Sequence, residues 1–196
     1  KVAGTFGQII FEPEFRNPDA LRGIENFSHV WLIFDFSLSH RDDWSATVRP
    51  PRLGGNEKVG VFASRSPFRP NSLGLSSVRL VKVEESEHFG HTLIVEGADL
   101  VDGTPIYDIK PYIPYADCHP EASSGFAPDS GETLRVAFEE GAAEKLPAGK
   151  KDVIAAILAN DPRPRYHNDS ERVYTMEFAG QEIRFRVSGG VLTVLA

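Results

Sequence analysis

The chain has 196 residues, of which 41% are hydrophobic, and its formal net charge at pH 7 is −7. This composition predicts a folded chain with a substantial core, built as one large domain or as one domain with a small appendage. The single cysteine, Cys118, excludes an internal disulfide and a multi-cysteine zinc site, and it fits a reducing cytosol. An acidic chain is not expected to coat nucleic acid unspecifically, although a local basic face remains compatible with it, because salt screens charges beyond about 8 Å.

Strands dominate the first two thirds of the predicted secondary structure. Asn17 and Pro18 predict a short helical turn that ends at Gly23, and turn-forming residues predict a loop over 40–58. β-branched, aromatic or alternating apolar residues predict strands over 6–13, 27–38, 59–64, 71–86 and 90–101 and from 106.

A segment rich in Gly, Ser and Pro, residues 123–132, predicts a domain boundary, and we place the domains at 1–125 and 126–196. The second domain is predicted to hold a strand over 133–140, a helix over 150–161, a hairpin over 172–190 and a final strand. Strands that rarely alternate with helices favour an antiparallel barrel or sandwich over a doubly wound sheet. The predicted fold is therefore mainly β, an antiparallel β-barrel with a small C-terminal α+β appendage.

Several common catalytic motifs are missing from the sequence. It contains no dinucleotide-binding or P-loop glycine pattern and no G-x-S-x-G nucleophile elbow. The six histidines include no H-x-x-x-H pair, so a metal site is not expected.

The stretch VFASRSPFRPNSLGLSSVRL, residues 61–80, places Arg65 and Arg69 beside Pro67 and Pro70. The prolines forbid a regular helix and stiffen the loop, so its guanidinium groups lose little freedom on binding. A planar guanidinium suits phosphate, carboxylate or a nucleobase. The alternative is a set of surface salt bridges worth about 0–1 kcal/mol each.

Two further clusters combine charged and aromatic residues. Residues 97–117 hold Asp99, Asp102, Asp108, Lys110 and Tyr112, whose carboxylates either cap turns or bind ribose hydroxyls or a cation. Residues 161–167 hold Arg163, Arg165 and Tyr166, a combination that suits single-stranded RNA. A proline-stiffened linker is the alternative for this second cluster.

Taken together, four stretches resemble the TsaA-like family of bacterial tRNA methyltransferases. They are LRGIENFSHVWLIF (21–34), VRPPRLGGNEKVGVFASRSPFRPNSLGLS (48–76), DLVDGTPIYDIKPYIPYAD (99–117) and NDPRPRY (160–166). The resemblance implies an S-adenosylmethionine-dependent enzyme that methylates N6 of threonylcarbamoyladenosine at tRNA position 37. It also implies a β-barrel core without a Rossmann sheet and a homodimer. No apolar run in the sequence approaches membrane-spanning length, so we expect a cytoplasmic protein without a membrane segment.

The resemblance assigns site residues to this sequence. It implies cofactor contacts from Ser37, Leu38, Arg65, Leu75, Glu96, Gly97, Ala98 and Asp99. The acceptor nitrogen is ureido-like and a poor nucleophile, so a general base would help, and our candidates are Asp102, Asp108 and Asp99. Arg69, Asn71, Lys110 and Tyr112 are expected to bind the modified base or the anticodon loop, and Arg163, Arg165 and Tyr166 the tRNA backbone and bases.

Two departures from the family pattern concern the N-terminus and one loop. Relatives begin with an I-G-x-I-x-S-P-like strand and a P-R-Q-x-G loop, whereas this chain begins at Lys1, so we expect a further N-terminal segment. Many relatives carry P-N-P where this chain has Pro70, Asn71 and Ser72, and we expect little effect.

Two alternative functions remain: a methyltransferase of this fold with another small or nucleotide substrate, and a non-enzymatic module that binds a nucleotide or RNA.

Overall fold

The computed structural model describes residues 4–53, 56–127, 133–163 and 169–196. Contacts divide these residues into two compact units, which are described separately. The first unit comprises residues 4–48 and 60–122, and the second comprises residues 49–59 and 123–196 as far as they are described.

Among the described residues before residue 123, the structure has seven strands and one short helix. They are β1 (Phe6–Ile9), β2 (His29–Asp35), β3 (Thr47–Val48), β4 (Val59–Gly60), β5 (Leu73–Ser86), β6 (Gly90–Glu96), β7 (Ile106–Pro111) and α1 (Pro114–Asp117). Five of the strands form one sheet in the order β1-β6-β5-β2-β7, and every neighbouring pair in it is antiparallel.

Alternation along the strands builds the core of the first unit. In β2, Val30, Leu32 and Phe34 are buried on one face, whereas His29 points outward. The other buried members of the cluster come from neighbouring strands: Ile9, Val78, Leu80, Leu93 and Val95. Because each such side chain contributes about 1.5–3 kcal/mol when fully buried, this face fixes the strand register on which the site depends.

Short 3-10 helices connect the strands and confirm one predicted cap. Pro18–Leu21 forms such a helix, and the Asn17 side chain accepts a hydrogen bond from the Asp19 N–H at 3.0 Å. The predicted strand over 59–64 is wrong beyond its first two residues, because Val61–Ala63 forms a 3-10 turn. The Ser64 N–H and hydroxyl both donate to the Val61 carbonyl, at 3.2 and 2.8 Å, and these local bonds replace a strand ladder.

The second unit packs one helix against a four-stranded sheet. Its elements are β8 (Arg135–Phe138), α2 (Lys151–Ala159), β9 (Tyr174–Phe178), β10 (Gln181–Ser188) and β11 (Val191–Val194). The sheet order is β8-β11-β10-β9, and β8 runs parallel to β11. Ile154 and Leu158 of α2 are buried with Phe185 and Leu192 of the sheet, which confirms the predicted amphipathic helix and the α+β character of this part.

The predominance of β structure is thus confirmed, whereas closure of the first sheet into a barrel stays a prediction. No helix among the described residues is long and apolar enough to span a membrane. The described residues also include no group of three or more His, Cys, Asp or Glu side chains placed to hold a metal ion.

Candidate functional site

A cleft of about 230 Å³ opens at the C-terminal end of β2. One wall is formed by residues 34–39, and the other by residues 99–104. The two walls meet because β2 and β7 are antiparallel neighbours, with Phe34 opposite Ile106. The connection that leads from β6 into β7 therefore passes beside the residues that follow β2.

Backbone hydrogen bonds hold both walls of the cleft. The Asp35 N–H donates to the Pro105 carbonyl at 2.9 Å, and the Phe36 N–H donates to the Ser72 carbonyl at 2.8 Å. On the opposite wall, the Thr104 N–H donates to the Val101 carbonyl at 3.1 Å. Gly103 turns this wall with a φ of 75°, a conformation in which glycine carries no Cβ penalty. The cleft is therefore framed by backbone rather than by long side chains.

One acidic residue in this cleft, Asp35, is not among the site residues predicted from the sequence. This residue lines the cleft and is only 8% exposed. One of its oxygens, Oδ1, lies 2.8 Å from Nε2 of His40, whose side chain is 60% exposed. The contact joins residues that flank the short 3-10 helix Ser37–Ser39, and so it closes the chain around the residues that form one wall.

The loop within residues 61–80 that carries Arg65 and Arg69 is stiffened by hydrogen bonds of its own serines and of Arg69. The Ser66 N–H donates to Ser64 Oγ at 3.3 Å, and the Phe68 N–H donates to Ser66 Oγ at 3.2 Å. Arg69 is half-buried, and its Nη1 donates to the Ser64 carbonyl at 3.1 Å. Arg65 is exposed, so the loop presents this guanidinium to solvent while Arg69 braces the turn.

Glu96 is the last residue of β6, and its carboxylate is hydrogen-bonded to other groups of the protein. It accepts the Gly4 N–H at 2.7 Å and an Arg79 Nη1–H at 2.8 Å. The Gly4 hydrogen bond, followed by the Arg79 contact, lowers the pKa of Glu96 below its ordinary value of 4.5. The Gly97 N–H is also engaged, with the Thr5 carbonyl at 2.9 Å. Any ligand that contacts this turn must therefore use other backbone groups.

Comparison with known proteins identifies the family. The family model for the tRNA-methyltransferase O N-terminal domain matches residues 1–118, and the model for the TrmO C-terminal domain matches residues 131–196. The chain belongs to the TrmO family. The resemblance inferred from the four sequence stretches is thereby confirmed.

Similar proteins of this family cover nearly the whole chain. A tRNA (adenine(37)-N6)-methyltransferase from Eikenella corrodens is 45% identical over 172 residues, which are 87% of this chain and 97% of that protein. The protein of the same description from Escherichia coli K12 is 38% identical over 205 residues, covering 100% of this chain and 86% of its own. A crystal structure of TrmO from Pseudomonas aeruginosa superposes with a TM-score of 0.77 at 32% identity, covering 99% of this chain and 83% of that one.

The cleft gathers some of the residues that the TrmO resemblance assigns to the cofactor. Ser37 and Leu38 lie on one wall, and Asp99 lies on the other, together with the candidate base Asp102. Leu38 is 82% exposed, and both aspartates are exposed. The remaining assigned residues are outside the cleft lining: Arg65, Leu75, Glu96, Gly97 and Ala98.

The other candidate base, Asp108, is on β7 and outside the cleft lining. Its carboxylate lies 2.7 Å from Nζ of Lys110 and also accepts the Ile109 N–H at 2.9 Å. These contacts, the Lys110 hydrogen bond foremost, lower the pKa of Asp108. A carboxylate stabilised in its ionised form is a weaker proton acceptor.

The residues expected to bind tRNA lie in different surroundings. Asn71 and Lys110 are exposed. The Tyr112 ring packs against Trp31 and His29, with centroid distances of 5.6 and 6.2 Å. Burial, followed by the nearby Cys118, raises the pKa of Tyr112.

Arg163 in the second unit is mostly engaged in an ion pair. Its Nε and Nη2 atoms lie 2.8 and 2.9 Å from the two carboxylate oxygens of Asp161, and its side chain is 14% exposed. This hydrogen-bonded pair raises the pKa of Arg163 above its ordinary value. Arg165 and Tyr166, predicted to contact tRNA, lie outside the described residues.

Proposed function

We propose that this chain transfers a methyl group from S-adenosylmethionine to N6 of adenosine 37 in tRNA, where that adenosine carries a threonylcarbamoyl group. One observation carries the proposal. Both TrmO domain models match the chain, and it is 45% identical over 97% of a relative named tRNA (adenine(37)-N6)-methyltransferase. The threonylcarbamoyl group on the substrate follows from the sequence resemblance.

The composition of the cleft fits a cationic methyl donor. Carboxylates of Asp35, Asp99 and Asp102 surround it, and Leu38 and Val101 add apolar surface. S-adenosylmethionine supplies an electrophilic methyl group on a positively charged sulfonium, together with an adenine ring and ribose hydroxyls. Carboxylates favour a nearby cation and accept hydrogen bonds from hydroxyls, and the apolar side chains suit an adenine face.

The size of the cleft indicates that it holds only part of the donor. Complete ligand pockets measure roughly 300–1,000 Å³, whereas this cleft measures about 230 Å³. We assign the rest of the donor to Arg65, Leu75 and the backbone of residues 96–98. Arg65→Ala is expected to weaken S-adenosylmethionine binding at least tenfold with unchanged thermal stability, measured by titration calorimetry. Unchanged affinity would remove Arg65 from the site.

The carboxylate of the threonyl group requires a cation on the protein. Lys110 is a candidate because its side chain is 61% exposed and its partner Asp108 is 46% exposed, so the pair is accessible to solvent. Arg69, Asn71 and Tyr112 are the other residues that we assign to the modified base. We assign tRNA backbone and stacking contacts to the C-terminal domain, residues 126–196, including Arg163, Arg165 and Tyr166.

The proposal is tested with tRNA carrying or lacking the threonylcarbamoyl group. The protein is incubated with S-adenosylmethionine and each tRNA, and the nucleosides are analysed by mass spectrometry after digestion. We expect one methyl group on N6 of threonylcarbamoyladenosine 37 and at least a hundredfold less in the unmodified tRNA. Equal methylation of both would refute the substrate assignment. If S-adenosylmethionine produces no heat in calorimetry at millimolar concentration, the chain is a binding module and not an enzyme.

We further propose a cytoplasmic homodimer of closed barrels. The first unit exposes large apolar side chains that a second copy could cover, among them Trp44 and Phe62, which are 56% and 73% exposed with ring centroids 6.4 Å apart. Symmetric dimers commonly bury such patches. Analytical ultracentrifugation is expected to show twice the chain mass, and a monomer at 100 µM would refute the dimer.

A further inference from the structure

Asp35 is a buried acid with unused capacity for a hydrogen bond. Among the described residues, the buried polar side chains are those of Asp35 and Thr92, and Asp35 is the one that lines the cleft. His40 occupies Oδ1. Within the part of the chain that the structure describes, no group donates to Oδ2. Oδ2 is not among the fully buried side-chain atoms that lack a partner, so it keeps contact with solvent and is accessible to a donor that enters the cleft.

The number of free oxygens narrows the identity of that donor. His40 contacts Oδ1, so among the described residues Oδ2 is the oxygen of Asp35 with both lone pairs left for a ligand. The two hydroxyls of a ribose are best bound by both oxygens of one carboxylate. A single N–H needs only one. The geometry therefore suits Asp35 to one N–H of the methyl acceptor and leaves the exposed Asp99 and Asp102 to the donor's ribose and positive charge.

The other carboxylates near the site are less suited to accept a proton. Asp99 and Asp102 are exposed, so water solvates their charge. Asp108 is bound to Lys110 and lies outside the cleft lining. Asp35 is sheltered from water, and His40 fixes its orientation at 2.8 Å. A proton acceptor that is oriented before the reaction needs no reorganisation during it.

We propose that Asp35 is the general base of the methyl transfer and that His40 is its positioning residue, an inference that rests on the proposed function. The N6–H bond of the substrate breaks and its proton passes to Asp35 Oδ2. The electron pair left on N6 forms the bond to the methyl carbon, and the carbon–sulfur bond breaks with its electrons on sulfur. The products are the N6-methylated adenosine, a neutral thioether and a protonated Asp35, which solvent deprotonates once the product has left.

The test compares Asp35→Asn with the wild-type protein in single turnover. The amide keeps the shape of the side chain and an oxygen for His40, but it cannot take a proton. We expect the methylation rate to fall on the order of 10²–10⁴-fold, while the affinities for S-adenosylmethionine by calorimetry and for tRNA by filter binding stay within threefold. Asp42→Asn, an exposed carboxylate two residues after His40, is the matched control and should keep the wild-type rate.

A second readout separates a missing base from a structural defect. Without a protein base, hydroxide must remove the proton, so the rate of Asp35→Asn should rise about tenfold per pH unit between pH 7 and 9, while the wild-type rate changes little. The other carboxylates that line the cleft, Asp99 and Asp102, and the Asp35 partner His40 are the same in both proteins. A rate lowered equally at every pH would overturn the base role, because only a structural defect acts in that way.

The remaining outcomes also decide the proposal. If Asp35→Asn misfolds by circular dichroism, Asp35→Glu takes its place, and a loss of affinity without a loss of maximal rate then overturns the base role. If Asp102→Asn loses the rate while Asp35→Asn keeps it, Asp102 is the base and the inference is wrong. If the wild-type protein leaves threonylcarbamoylated tRNA unmethylated, the proposed function itself fails and Asp35 has no N6 proton to accept.

Discussion

Gly74→Ala should destabilise the first unit and narrow the cleft at the same time. Gly74 lies opposite Phe34 in the β2–β5 register, and a Cβ at this position would lie 2.2 Å from Cζ of the Phe34 ring. An ordinary contact begins near 3.4 Å, so the ring must retreat by about 1.2 Å. Phe34 is 6% exposed, packs against the Phe36 ring and lines the cleft. Its displacement therefore affects core and cleft together.

The magnitude of this effect follows from overpacking. Extra carbon in a well-packed core costs about 1–3 kcal/mol, which corresponds to a fall in melting temperature of about 2–12 °C for a chain of this size. Differential scanning fluorimetry measures the melting temperature, and calorimetry measures the affinity for S-adenosylmethionine. Gly60→Ala is the control, because its Cβ meets nothing within 4 Å and its φ of −59° suits alanine. Equal stability and affinity in both variants would refute the packing argument.

Substitutions at three further positions test individual contacts. The folded chain lowers the pKa of Glu96 below 4.5. Wild type should therefore be more stable than Glu96→Gln in urea unfolding above about pH 5, and this difference should disappear as the pH falls through the lowered pKa. A stability difference that persists at pH 2 would contradict the prediction. Arg163→Ala should lower the free energy of unfolding by about 1–3 kcal/mol, because Asp161 loses two charge-assisted hydrogen bonds. Arg163→Lys cannot make both hydrogen bonds and should recover less than half of that loss. Full recovery would show that the positive charge alone is sufficient. His40→Ala should lower the single-turnover methylation rate about 3–10-fold, the value of one hydrogen bond, because Asp35 loses the contact that orients it. The affinity for S-adenosylmethionine should stay within threefold, and an unchanged rate would show that Asp35 is oriented without His40.

The sequence predicted those parts of the fold in which one periodic pattern decides the structure. Val30, Leu32 and Phe34 alternate through β2, and the apolar face of α2 carries Ile154 and Leu158, so both elements were recognisable. The short helix Pro114–Asp117 was not predicted, because Pro111, Pro114 and Pro120 interrupt any periodic pattern in this segment. Proline is compatible with the first helical position, and the Asp117 carboxylate accepts the Ile113 N–H at 2.8 Å.

The site was only partly predictable, because residues far apart in sequence form it. Ser37, Leu38, Asp99 and Asp102 came from a resemblance, and the pairing of β2 with β7 explains why they share one cleft. Asp35 was missed, although it is an acidic residue within the apolar run LIFDF. A charge at such a position in a buried strand is costly unless it has a partner. This cost is the sequence signal from which Asp35 could have been identified.

The electrostatics of the site resolve an apparent conflict between an acidic chain and a polyanionic substrate. The cleft carries three carboxylates, which suits a sulfonium cation and disfavours a phosphate. We propose that the tRNA is held by separate cations outside the cleft lining, among them Lys110, whose side chain is 61% exposed. Because salt screens charges beyond about 8 Å, local groups and not the net charge of −7 determine binding at each place. Acidic residues near the methyl donor and a basic group held apart from them allow one protein to bind a cation and an anion at once.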